Sequence, residues 1–415
     1  MATTVLDRRT DDSRVATYAV FLLLTLFFRP SMLYVLSEPI FAFIVVLISG
    51  YFFVGKKGYV TWRKVSFLGL CTIFYVYKAV QGISFGTGSP IVVLNEMGFM
   101  LAPTISMFML NCRTWDSAVL ALITPVIFFI PSYLLTGLLT MLLGGVDTLI
   151  LDHFTLDMGD GTYEARWAFP YSLYIGGSPT VGPFSFGRAT GFVREPGIYQ
   201  VLLIISYFSV DIIDLRYKNL FKGGVLVNIF LTFSTAGWGS FAAAWLYYNV
   251  FSSSDKILSG VRSFSRRIGA LLLSLPLLYY VLYAETKASV TQKLSGSSGE
   301  TRILLALDAI QEFMSSPVWG VGFQSPEVES IHFVGVVAEL GLVGVLLIFL
   351  FTFVPIWPLV RKFHPVLVFL VPLILTMLFA QPLFGKTLFF LVLAIVVAYP
   401  ASERKLPAHF SENPA

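Results

Sequence analysis

The chain is a succession of long apolar runs separated by short polar breaks. The runs fall at roughly 15–36, 39–54, 65–84, 91–111, 117–143, 197–213, 223–236, 238–252, 268–284, 333–353, 365–381 and 384–400. A helix needs about 20 apolar residues to cross a bilayer, and most of these runs come near that length. They predict an all-α polytopic membrane protein, with about twelve spans in a single integral domain over 1–415. A β-barrel would show short alternating segments instead of unbroken runs. The runs at 223–236 and 238–252 are short and part at Thr235-Ala236-Gly237-Trp238-Gly239; the one after Pro365 turns at Gln381-Pro382. Polar residues 1–14 and the apolar stretch after them imitate a secretory signal. Arg29-Pro30 follows where a small-residue cleavage site would stand, so the stretch is read as a retained first helix.

Two polar segments interrupt this rhythm, 144–196 and 285–331. Long loops in compact proteins usually carry function. In the second, Ser297 and Glu300 have capping-box spacing, and Ile303, Leu307, Ile310 and Met314 recur at helical spacing. This predicts an amphipathic helix over 300–315 lying on the membrane surface, stopped by Pro317.

Composition narrows the class further. Hydrophobic residues make up 56% of the 415 and charged ones 13%. Soluble domains carry about 25% charged residues, so a soluble, nucleic-acid-binding, coiled-coil or disordered chain is excluded. Most of the 28 lysines and arginines gather on one side of the predicted spans: Arg8, Arg9, Arg14, Lys56, Lys57, Arg63, Lys64, Arg216, Lys218, Lys222 and Lys256 among them. By the positive-inside rule both termini are cytoplasmic and both long loops extracytoplasmic. Cys71 and Cys112 are read as small buried residues, and Lys78 as a lysine snorkelling outward from within a span.

Chemistry concentrates in two places. The first is Gly187-Arg188-Ala189-Thr190-Gly191-Phe192-Val193-Arg194-Glu195-Pro196-Gly197, leading straight into a span. Arginine offers a planar fork for phosphate oxygens, and a helix N-terminus beginning at proline favours an anion. Interfacial snorkelling with an Arg194–Glu195 pair is the structural alternative. The second comprises Trp319-Gly320-Val321-Gly322-Phe323, then Glu327, Glu329 and His332, then a span containing Glu339-Leu340-Gly341-Leu342-Val343-Gly344. On a helix Glu329 and His332 share a face, and a histidine there can move a proton near neutral pH. A polar interface residue is the alternative reading. Glu339 would sit about 10 Å deeper, calling for a partner or a water pocket. No HxxxH, HExxH or CxxC spacing for a metal occurs, so no metal site is expected, though the outer carboxylates leave a Mg²⁺ site open. No cofactor motif or internal repeat is visible.

Arg188-x-x-Gly191-x-x-x-Glu195-Pro196 resembles the motif that precedes a span in the bacterial O-antigen ligase/polymerase family. Arg302…Asp308-Ala309-Ile310…Pro317…Gly320-Val321-Gly322…His332…Glu339-Leu340-Gly341 resembles that family's second outer loop, and Ser234-Thr235-Ala236-Gly237-Trp238 its Ser-x-x-Gly turn. The likeness is firmest over about 185–350, where all three occur in the family's order. It implies a GT-C-like glycosyltransferase of the bacterial inner membrane, working on the periplasmic side on undecaprenyl-diphosphate-linked oligosaccharide. A flippase and a chain-length regulator are the partners it implies. Glu195-Pro196 looks more like the Wzy-type polymerases, and Phe333 stands where ligases often carry Asn. The resemblance therefore implies a polymerase first and a lipid A core ligase second. A flippase or transporter of lipid-linked glycans is the reading from another class.

In the implied reaction, breaking the sugar–diphosphate bond builds negative charge that arginines can stabilise without a metal. The resemblance gives that role to Arg188 and Arg302, with Arg194 helping. His332 is the first choice of base for the acceptor hydroxyl, with Glu195 and Glu329 behind it, and attack from the opposite face inverts the anomeric centre.

Overall fold

A computed structural model describes residues 2–27, 38–54, 60–85, 90–142, 152–157, 163–169, 172–175, 180–181, 184–185, 188–193, 195–213, 215–232, 234–251, 297–323, 325, 333–379, 384 and 386–400. Helices dominate. They are α1 (Ala2–Phe27), α2 (Glu38–Val54), α3 (Trp62–Phe85), α4 (Pro90–Ser106), α5 (Trp115–Leu142), α6 (Pro196–Ile212), α7 (Lys218–Leu231), α8 (Thr235–Phe251), α9 (Ser297–Ser315), α10 (Phe333–Phe353), α11 (Leu370–Phe379) and α12 (Thr387–Val397), with short turns of helix between some of them. Among the described residues four helical stretches are long and apolar enough to cross a membrane: Trp62–Phe85, Val92–Met109, Trp115–Ser132 and Phe333–Phe353. Pro196–Ile212, Pro365–Leu378 and Thr387–Val397 are shorter apolar helices. The expected span at 268–284 lies outside the described residues.

Burial follows the residue pattern of each helix. In α3 the buried side chains Phe67, Cys71, Phe74, Tyr75, Lys78 and Gln81 recur every three or four positions, a single face. The opposite face leaves Ile73, Val76, Val80 and Ile83 exposed. An exposed apolar stripe of that length is suited to lipid and costly in water. Helix α12 is apolar all round, and every residue from Thr387 to Val397 is buried, as expected of a core helix. It packs against α4, α1, α3 and α5.

The cationic start of α3 serves this core. Arg63 donates from Nε to the carbonyl of Pro355 and from its two terminal nitrogens to those of Tyr399 and Val396. It thereby ties the end of α12, through Val396 and Tyr399, to the turn that follows α10 at Pro355. Lys64 donates to the Leu110 carbonyl at 2.6 Å, and Trp115 Nε1 to that of Ile395 at 2.9 Å. Residues expected merely to mark the inner surface are thus structural caps.

The all-α expectation needs correction in the first long loop. Six short strands lie there among the described residues: β1 (Asp152–Asp157), β2 (Tyr163–Phe169), β3 (Ser172–Ile175), β4 (Thr180–Val181), β5 (Phe184–Ser185) and β6 (Arg188–Ala189). Four form an antiparallel sheet in the order β1-β2-β3-β6, and β4 pairs with β5. The signal was present: over 163–169 the apolar residues Tyr163, Ala165, Trp167 and Phe169 alternate with Glu164, Arg166 and Ala168, the period of a strand. The cysteines also part from expectation, since Cys71 is buried but Cys112 is exposed.

Candidate functional site

The first cluster enters the fold as the last strand of the sheet. Arg188 and Ala189 form β6, with Ile175 opposite Arg188 and Tyr174 opposite Ala189. A tight turn follows, closed by Val193 N–H donating to the Thr190 carbonyl at 3.1 Å. Gly191 sits there at φ +57°, and a Cβ on it would fall 2.4 Å from the Tyr199 ring. Only glycine meets both demands at that point. Glu195 is the N-cap of α6 in extended conformation, and Pro196 opens the helix. Its carbonyl accepts from the amides of Ile198 and Tyr199. The Arg188 side chain and all of Arg194 lie outside the described residues.

One turn into α6, the buried Gln200 reaches the break between α7 and α8. Its Nε2 donates to the Ser234 carbonyl at 3.4 Å. That carbonyl also accepts from Gly237 N–H and Trp238 N–H, both at 3.2 Å. A Cβ on Gly237 would land 1.4 Å from the Gln200 amide carbon. The Ser-x-x-Gly turn and the start of α6 therefore form one unit. Along α6, Tyr199 Oη, Gln200 Oε1 and Ser206 Oγ are buried polar atoms with no hydrogen-bond partner among the described residues.

The second cluster is built around a broken helix. Within α10, Gly341 has φ +61° and ψ −172°, outside the helical region. Unbroken, the helix would pair Ala338 O with Leu342 N and Glu339 O with Val343 N. Instead the loop after α9 supplies all four partners. Val321 N–H donates to Ala338 O at 3.0 Å and Gly322 N–H to Glu339 O at 3.2 Å. Leu342 N–H donates to Pro317 O at 2.9 Å and Val343 N–H to Val318 O at 3.2 Å. The two backbones touch: a Cβ on Gly320 would lie 2.2 Å from Glu339 O, and one on Gly341 2.4 Å from Gly320 N. Non-helical backbone at membrane depth is tolerated where protein groups satisfy it, and α3 completes that task. Tyr77 Oη donates to Leu340 O at 2.7 Å, and Gln81 Nε2 to Glu339 O at 2.8 Å and to Trp319 O.

Beside this clasp lies an ion pair. Lys78 of α3 is buried, pairs with Glu96 of α4, and places Nζ 3.8 Å from the centroid of the Phe323 ring. The snorkelling assigned to Lys78 is thereby corrected: Glu96 and Phe323 give its charge partners inside the protein, so it has no need to reach a headgroup. Counting along the helices at 1.5 Å per residue, Lys78, Glu96 and Glu339 each lie about 10 Å in from a helix end. Glu339 itself is buried, at 6% exposure.

Arg302 is on α9, with its side chain outside the described residues; Glu327, Glu329 and His332 are outside them altogether. Helix α9 begins at Ser297 and ends at Ser315, just before Pro317. Its small face, Ala309, packs on Ala338 of α10 with Phe313, Val321 and Val334 alongside. Its stripe of Leu307, Ile310 and Met314 stays exposed. Sequence reasoning missed Tyr77, Gln81 and Glu96. The available signal was the spacing of three between Tyr75, Lys78 and Gln81, and a carboxylate within an apolar run. Among the described residues no group of three or more His, Cys, Asp or Glu could hold a metal ion. Comparison with protein-family models and with curated proteins finds no match to this chain.

Proposed function

We propose that this chain is a membrane glycosyltransferase, a Wzy-type polysaccharide polymerase of the O-antigen ligase/polymerase family. It transfers a growing glycan from undecaprenyl diphosphate onto the next lipid-linked repeat unit. In this reading it sits in a bacterial inner membrane with about twelve spans in a GT-C-like arrangement. Both termini are cytoplasmic and the site is periplasmic. Helix α9 rests its exposed apolar stripe on the outer lipid surface.

The observation that carries the reading is the joining of the residues on which the resemblance rests. Gly320-Val321-Gly322 threads the break at Gly341, so the two halves of the second motif are a single unit. Gly237 of the Ser-x-x-Gly turn presses on Gln200, five residues beyond Glu195. These contacts demand glycine at the positions where the family motif has it.

Arg188 and Arg302 would stabilise the departing diphosphate, with Arg194 assisting. His332 would take the acceptor hydroxyl proton, with Glu195 and Glu329 arranging the acceptor. Loss of one preorganised donor at such a site costs about 10²-fold or more in rate. The test is the glycan ladder of a deletion strain complemented with wild type, Arg188→Ala or His332→Ala. The expected result is single repeat units in the deletion, a restored ladder with wild type, and none with either variant at normal expression. A long ladder still on its lipid carrier would make the protein a ligase. A second reading, a transporter of lipid-linked glycans, is favoured by the broken helix and by the Lys78–Glu96 pair at membrane depth. Unchanged polymerisation with lipid-linked units trapped on the inner leaflet would favour it.

A further inference from the structure

The Lys78–Glu96 pair has no part in the transfer chemistry just described, yet it sits where charge is costly. A charged pair between membrane helices needs a reason. The residues around it point to one. Lys78 Nζ lies over the Phe323 ring at 3.8 Å, closer than to Tyr75 at 5.5 Å or Phe74 at 5.8 Å. Phe323 is buried and closes the turn whose Val321 and Gly322 amides fill the break in α10. Three residues further along α3, Gln81 holds the Glu339 carbonyl beside the break and the Trp319 carbonyl of the turn that fills it. That turn is also the continuation of α9, the helix that carries Arg302.

We infer that Lys78 and Glu96 are positioning residues: their ion pair fixes Phe323, locks the 316–323 turn into the break at Gly341, and so sets the place of α9 against the spans. Glu96 offsets the charge of Lys78 at a depth where an unpaired one would be costly, and the ammonium holds the ring. The effect on glycan transfer rests on the polymerase reading; the locking itself does not.

The test uses the full-length protein in lipid nanodiscs. Hydrogen exchange is followed over 316–323 and 340–344, beside the glycan ladder. In Lys78→Met, in Phe323→Leu and in the double variant Lys78→Met with Glu96→Leu, the amides of Val321, Gly322, Leu342 and Val343 should exchange about tenfold faster or more. That is the scale of a lost desolvated cation–π contact. The double variant matters most, because it leaves no buried unpaired charge and should still fold. Lys78→Arg, which keeps the cation over the ring, should restore slow exchange and the ladder. Lys222→Met, breaking the separate pair with Asp211, should leave exchange in both stretches unchanged.

Unchanged exchange in a folded double variant and in Phe323→Leu overturns the inference. So does accelerated exchange with a wild-type ladder, provided Arg188→Ala abolishes the ladder in the same strain. If Arg188→Ala and His332→Ala both leave the ladder intact, it is the polymerase reading that fails, and the exchange data decide the locking alone.

Discussion

Helix α3 carries buried cations at both ends, and the two ends use them differently. At its start, Arg63 and Lys64 donate to backbone carbonyls: those of Pro355, Val396, Tyr399 and Leu110. Those acceptors belong to ends of helical segments, and the cations finish them. Toward its other end, Lys78 meets a carboxylate and an aromatic ring, and Gln81 meets one carbonyl of the broken helix and one of the turn that fills the break. The first end closes a core. The second holds an irregular segment in place against the spans. Along one helix, cations a few turns apart take partners of different kinds, and only the tertiary contacts reveal which.

Four perturbations separate the two ends. The largest effect belongs to Gly341→Ala. Its Cβ would enter the Gly320 backbone at φ +61°, and backbone on that side has no room to yield. We expect a loss of about 3 kcal/mol or more, read as a lower melting temperature or failure to elute as a single species. A variant as stable as wild type would show that the two backbones are not in contact. Next is Lys78→Met, which strands the Glu96 charge and should cost about 3 kcal/mol. Adding Glu96→Leu should recover most of that stability; no recovery would mean the pair itself, rather than the stranded charge, dominates.

Arg63→Met removes three charge-assisted hydrogen bonds and should cost about 2 kcal/mol. Hydrogen exchange should then quicken near the end of α12 and not in 316–323, and the opposite pattern would merge the two regions into one cooperative unit. The smallest effect concerns pH. His364 lies in the turn after α10, near the Arg63 end, with its ring 4.5 Å from that of Tyr399 and its Nδ1 accepting from Val366 N–H at 3.3 Å. Burial, helped by the charges of Arg63 and Lys362, pushes its pKa down to about 4. The folded state therefore resists a proton that the unfolded chain takes up near pH 6.5. Stability should be full above about pH 6.5 and fall as pH drops toward 4. His364→Gln should flatten that part of a melting-temperature profile, and an unaltered slope would assign it to other groups.

Much of the molecule could be read along the chain. The α10 boundaries follow from its apolar run, since a stretch that hydrophobic has no other stable state in lipid. Ser315 as the end of α9 follows from Pro317, which cannot continue a helix. The strands of 152–189 were legible too, in the alternation at 163–169, but the surrounding polarity masked it. Of the candidate site, the motif residues Gly191, Gly237, Gly320 and Gly341 were visible as glycines. What each of them touches was not.

What the sequence determined by itself is local: where apolar runs are long enough for lipid, where a proline stops a helix, and where charge gathers. Those properties depend on residues three or four positions apart, and they can be counted along one strand of text. The tertiary structure decided the rest. Lys78 finds Glu96 and Phe323, and Gln81 finds Trp319 and Glu339, across as many as 258 positions of chain. No periodicity encodes such a meeting. It arises because a broken helix leaves four backbone groups without helical partners, costly where water is excluded, and a loop pressed close by two glycines supplies them while Gln81 of α3 adds a second donor to Glu339.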